Sequence, residues 1–130
     1  MQTSIFTKII HGELPSHKVF EDDKTFAFLD IHPIQPGQTL VVPKMQVDRI
    51  EDLSEEDYHA LMSSVKKVMK RIVEVFGKEY RACVRVEGFI VPHVHVVIIP
   101  CRVAEDFMKP PSNDEPDHEA LAEMAKKLAF

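Results

Sequence analysis

After Tyr58, the residues Leu61, Met62, Val65, Val68, Met69, Ile72 and Phe76 recur at steps of three and four. That spacing gathers them on one stripe of a long α-helix. Ser54 ahead of Glu55, Glu56 and Asp57 offers a hydroxyl cap and puts acids in the first turn, where the helix dipole favours them. Gly77 closes the pattern. A helix with a single apolar stripe must lay it on another apolar layer, so its Met and Phe residues read as core packing. The rest of the chain offers only short β-branched runs and short helices, so that layer should be a sheet.

Residues 4–10 carry Ile5, Phe6, Ile9 and Ile10 at helical spacing, with Thr3 or Ser4 as cap and Gly12 as stop. Residues 18–21 and 25–30 flank the polar stretch Glu21-Asp22-Asp23-Lys24 and read as a β-hairpin. His32 to Gly37 is a loop punctuated by Pro33 and Pro36, and residues 38–43 form a strand ended by Pro43. Residues 81–87 and 93–99 are two further strands. Residues 101–117 are polar, contain Pro110, Pro111 and Pro116, and should be an irregular loop. Asp117 can then cap a last short helix bearing Leu121, Met124 and Leu128. The order α-β-β-β-α-β-β-α predicts an α+β fold: an antiparallel five-stranded sheet, one long helix and short flanking helices. One domain should cover residues 1–130, with 102–130 as a C-terminal loop and short helix extension.

A chain of 130 residues with 45% hydrophobic and 28% charged residues has room for one sizeable core and is not disordered in composition. The net charge of -5 argues against bulk electrostatic binding to nucleic acid, which needs a basic surface. It leaves open a small phosphorylated ligand held by local donors. No apolar run is long enough to span a bilayer, and the first ten residues lack the form of a signal peptide. Cys83 and Cys101 are the only cysteines and lack CxxC spacing, so two reduced thiols in a cytoplasmic protein are expected.

Of seven histidines, His11, His17, His32, His59 and His118 sit in turns or on polar helix faces and are expected at the surface. His93 and His95 differ, because they open the apolar run His93-Val94-His95-Val96-Val97-Ile98-Ile99. In an extended chain His93, His95 and Val97 project from one face, and Val94, Val96 and Ile98 from the other. Two imidazoles in such a run are costly unless each finds a partner. They are either core histidines satisfied by backbone groups, metal ligands or catalytic groups. Metal ligation needs a third ligand, which the neighbouring sequence does not offer.

The run resembles the signature of the histidine triad (HIT) family, in which histidines alternate with apolar residues. Further stretches follow the HIT pattern in order and spacing: residues 5–10, Gly12-Glu13-Leu14-Pro15, residues 19–23, Ala27-Phe28-Leu29-Asp30-Ile31, residues 36–40 and Val42-Pro43-Lys44. The likeness covers roughly residues 3–101. Glu87 to His93 resembles a short-loop subset of bacterial members, whose extra C-terminal helix the tail is similar to. The resemblance implies a homodimer that acts on a small nucleotide, with no cofactor. His95 would be the nucleophile that attacks the α-phosphorus of a nucleotidyl ester, phosphoramidate or anhydride, forming a nucleotidyl-histidine. His93 would position it through its backbone carbonyl. Asp30 would hold the ribose hydroxyls, and Phe6, Ile9, Leu14, Phe28 and Ile31 would surround the base, a purine by this likeness.

Two departures from the family pattern are legible. Val97 stands where the third histidine is expected and cannot donate to a phosphate oxygen, and Val86 aligns with the usual asparagine before the glycine turn. Ser4, Thr7 and Gln46 occupy three of the four positions that hold a structural zinc in some members, leaving only His93. No metal site is therefore expected. A catalytically weak nucleotide-binding or regulatory protein is the alternative function, and a metal-binding module using His93 and His95 is a third.

Overall fold

The computed structural model describes residues 2–130. The sheet is built from β1 (Lys18–Glu21), β2 (Thr25–Leu29), β3 (Thr39–Pro43), β4 (Arg81–Val86) and β5 (Val96–Cys101). Their spatial order is β1-β2-β3-β5-β4, and every neighbouring pair is antiparallel. The helices are α1 (Ile5–Ile10), α2 (Glu55–Phe76), α3 (Ala104–Phe107) and α4 (His118–Leu128). The expected five-stranded α+β architecture is therefore the observed one.

Strand alternation divides the core into two layers. Val19, Ala27, Leu29, Val41, Val96 and Ile98 point to one face, where α2 presents Leu61, Val65, Val68 and Ile72 and α4 presents Leu121, Ala125 and Leu128. Phe26, Phe28, Leu40, Val42, Val97 and Ile99 point to the other, where they meet Phe6, Ile9 and Ile10 of α1 and Phe107 of α3. The helix face is the larger layer. The α1 face is shallower, and the functional site opens on it.

Local chemistry fixes the element ends. Ser54 Oγ accepts the Asp57 N–H at 3.1 Å at the start of α2, and Gly77 ends the helix at φ 110°. Asp22 Oδ1 closes the hairpin by accepting the Lys24 and Thr25 N–H groups at 3.0 and 2.9 Å. Ser64, polar yet fully buried on α2, lies 2.7 Å from the Thr25 hydroxyl and 3.3 Å from Asp22, tying the helix to the hairpin.

Two expectations change. The strand expected over residues 93–99 begins only at Val96. Before it the backbone bends: the His93 N–H bonds back to the Val91 carbonyl at 2.8 Å, and the Val94 N–H reaches Val47 O at 2.8 Å. Those bonds take the chain out of the ladder, although the alternation of faces persists through the bend. The loop expected over residues 101–117 contains α3, whose entry is closed by Asp106 Oδ2 accepting the Arg102 and Val103 N–H groups at 2.9 and 3.3 Å.

Candidate active site

His93 is completely buried, and both of its nitrogens are engaged. Nε2 lies 2.7 Å from the Pro43 carbonyl, which can only accept, so Nε2 carries the hydrogen. Nδ1 then accepts from the Ser4 hydroxyl at 2.7 Å. Burial, before any other cause, holds the His93 pKa below its ordinary value of 6.5, with the neighbouring His95 adding to the effect. The ring is a neutral, fixed member of the core.

Ser4 belongs to a polar knot around that ring. Its Oγ accepts the Thr7 N–H at 3.0 Å and caps α1, and its backbone N–H reaches Gln46 Oε1 at 2.8 Å. The Thr7 hydroxyl donates to the same Gln46 oxygen at 2.9 Å. Ser4 and Thr7, from one helical turn, thus meet Gln46 and His93 from distant parts of the sequence, and the four satisfy one another.

His95 is held differently. Its Nδ1 lies 2.8 Å from the His93 carbonyl and must donate to it. That bond fixes the tautomer and leaves the Nε2 lone pair without a hydrogen-bond partner among the described residues. Nε2 faces Glu87 Oε1 at 3.8 Å. The ring is 8% exposed and is steadied by the edge of Phe6, with centroids 5.0 Å apart. The bend over residues 91–95 is what frees the His93 carbonyl for this role: outside the ladder, it accepts from a side chain.

A cleft of about 540 Å³ opens in front of His95. Phe6, Ile9, Phe28, Asp30, Ile31 and Val97 line it, bringing together all but one of the remaining sequence-predicted site residues. The exception is Leu14, 38% exposed, which does not line the cleft; Pro15 and Ser16, just after it, do. Asp30 is half-buried and oriented: Oδ1 accepts the His32 N–H at 2.9 Å, and Oδ2 accepts from Gln38 Nε2 at 3.0 Å. Val97, 5% exposed, forms part of the apolar floor.

Two charged residues of the cleft were not singled out from sequence. Arg85 and Glu87 both line it. In β4, Ala82 packs with the helix-side layer and Cys83 with the other, so Arg85 follows Cys83 onto the cleft face. Val86 faces away from that cleft and borders a separate hollow with Val94. The alternation of β4 was the available signal, and alignment on Val86 obscured it.

Fold and site together define a small α+β protein built around one tautomer-fixed imidazole at the end of an apolar cleft. The HIT domain model matches residues 11–104, and the chain belongs to the HIT family. It is 38% identical to the adenosine 5'-monophosphoramidase of Schizosaccharomyces pombe, an alignment covering 74% of this chain and 72% of that protein. It is 39% identical to an uncharacterized HIT-like protein of Methanocaldococcus jannaschii, over 74% of this chain and 77% of that one. The crystal structure of a Hit-like protein involved in cell-cycle regulation from Bartonella henselae superposes with a TM-score of 0.80 at 33% identity, covering 97% of this chain and 93% of that one. No helix among the described residues is long and apolar enough to cross a membrane.

Proposed function

We propose that this protein is a nucleotide hydrolase or nucleotidyl transferase that works through a covalent intermediate on His95. The observation that carries the reading is the bond from His95 Nδ1 to the His93 carbonyl at 2.8 Å, which leaves Nε2 as the fixed, unpaired nitrogen that His95 presents to the cleft. A neutral imidazole is a competent nucleophile near neutral pH. Its Nε2 lone pair attacks the α-phosphorus of a nucleotidyl ester, phosphoramidate or anhydride. The bond to the leaving group breaks, and the leaving group departs with that electron pair and takes a proton from solvent. Water then attacks the phosphorus and gives up a proton to solvent as the bond to Nε2 breaks, releasing nucleoside monophosphate and returning the electron pair to Nε2.

Asp30 is the ribose ligand in this reading, since its oriented carboxylate suits two vicinal hydroxyls. Phe6, Ile9, Phe28 and Ile31 form the apolar walls for the base. The adenosine 5'-monophosphoramidase relative supports adenosine phosphoramidate as the first substrate to try. The short turn before His93 and the C-terminal helix support a likeness to short-loop bacterial members. Incubation with adenosine phosphoramidate should release AMP, and His95→Ala should abolish that release while leaving the fold intact. Equal AMP release by the wild type and His95→Ala would overturn the assignment.

One observation favours slow turnover. Val97 offers no proton to the leaving group, so a nucleotide-binding or regulatory role with weak catalysis is the second reading. It requires AMP to bind with ordinary affinity while release from phosphoramidate stays near the uncatalysed rate.

A further inference from the structure

Val97 leaves a gap in the chemistry at His95, and the sheet register identifies what stands beside it. Arg85 of β4 is the direct antiparallel partner of Val97 of β5. Directly opposed residues share a face, with Cβ atoms about 4.5–5.5 Å apart. Arg85 lines the cleft with His95, Asp30 and Val97. It is exposed, and among the described residues no carboxylate lies within ion-pair distance of it. Arg49, which borders the other hollow beside His95, is instead paired with Glu51 at 3.4 Å.

The electrostatics of the site call for such a group. Glu87 sits 3.8 Å from His95 Nε2, the nitrogen that must approach an anionic phosphorus centre. An ionised carboxylate there repels the phosphate oxygens. His93 cannot help, being buried and neutral. A guanidinium lining the same cleft as Glu87 offsets that repulsion and can grip two phosphate oxygens at once.

We infer that Arg85 is the phosphate-binding residue of this site, supplying from the neighbouring strand the positive charge that Val97 cannot. The inference rests on the nucleotidyl chemistry assigned to His95 and adds the group that recognises the α-phosphate. Arginine stays protonated at any working pH, so it stabilises charge without transferring a proton. Substrates whose leaving groups need no proton should accordingly turn over best.

The test compares AMP with adenosine, which shares the base and ribose but has no phosphate. Calorimetry on Arg85→Gln should show AMP affinity reduced about tenfold or more, the scale expected for losing charge-assisted hydrogen bonds, with adenosine affinity unchanged. Arg85→Lys should fall between, because it keeps the charge and loses the fork. Adding Val97→His to Arg85→Gln should recover part of the AMP affinity. AMP binding by Arg85→Gln within twofold of wild type would overturn the role of Arg85 and leave the reading of His95 standing. Wild-type protein that binds neither AMP nor adenosine would overturn both.

Discussion

Each oxygen of Asp30 accepts one hydrogen bond from its own loop, at 2.9 and 3.0 Å, and each keeps lone-pair capacity for a ligand. Those ribose contacts would exist equally in the ground and transition states, so losing them removes uniform binding. Asp30→Ala should therefore raise KM about tenfold with little change in kcat, measured by AMP release from phosphoramidate. A fall confined to kcat would contradict the ribose role. His93 makes a different residue-scale prediction. Burial lowers its folded-state pKa below 6.5, so between those two values the unfolded chain holds a proton that the folded chain refuses. Stability contributed by the neutral ring is present above 6.5 and is lost as pH falls from there through the folded value. Urea midpoints should decline on acidification across that window, and His93→Asn should flatten the decline. Wild-type midpoints that hold steady or rise over the same window would contradict the buried neutral assignment.

Among the elements, the β3 entry shows how tightly the site loop is seated. Gly37 has φ 88°, and a Cβ there would lie 2.7 Å from Phe76 Cζ of α2 and 3.2 Å from Pro100 Cγ. The ring can yield only by disturbing the C-terminal turn of α2. Gly37→Ala should cost about 1–3 kcal/mol, read from chemical denaturation, and should loosen Gln38, whose amide orients Asp30. The long helix, the hairpin and the face alternation around His95 were legible in the sequence because each follows from period and turn chemistry. The bend over residues 91–95 was not. Its apolar residues read as strand, while the bonds from Val94 to Val47 and from the His95 ring to the His93 carbonyl are tertiary and leave no local mark. Most of the apolar cleft wall and Asp30 were found through family likeness, whereas Leu14 was carried over to a position that does not line the cleft. Arg85 and Glu87 are not legible as site residues from sequence, because family alignment falls on Val86 and isolated charges near a strand end ordinarily read as solvated.

At the scale of the molecule, the two edges of the sheet are finished differently. At β1, the Phe130 N–H donates to Val19 O at 3.2 Å and the Phe130 ring stacks on Phe20 at 4.7 Å, while Lys18 and Glu21 add charge. That edge is blunted by the chain itself. Beyond β4 no further strand pairs among the described residues, and Val84 and Val86 remain 37% and 45% exposed. Phe89 and Ile90, in the turn that leaves β4, are each 91% exposed. Open edges flanked by apolar side chains invite pairing, and a self-complementary strand pairs most simply across a two-fold axis. The expected outcome is a homodimer in which two β4 strands meet and the sheets run on into one another. Light scattering at micromolar concentration should give about twice the monomer mass of 14.9 kDa. Val84→Lys with Val86→Lys should return the protein to monomer without unfolding it, since both side chains lie outside the buried core. A wild-type mass near the monomer value would contradict the pairing. Because Arg85 lies on this same strand, an outer edge left without its partner is freer to fray, and monomeric variants that still fold should also bind AMP more weakly as the pairing of Arg85 with Val97 becomes less persistent.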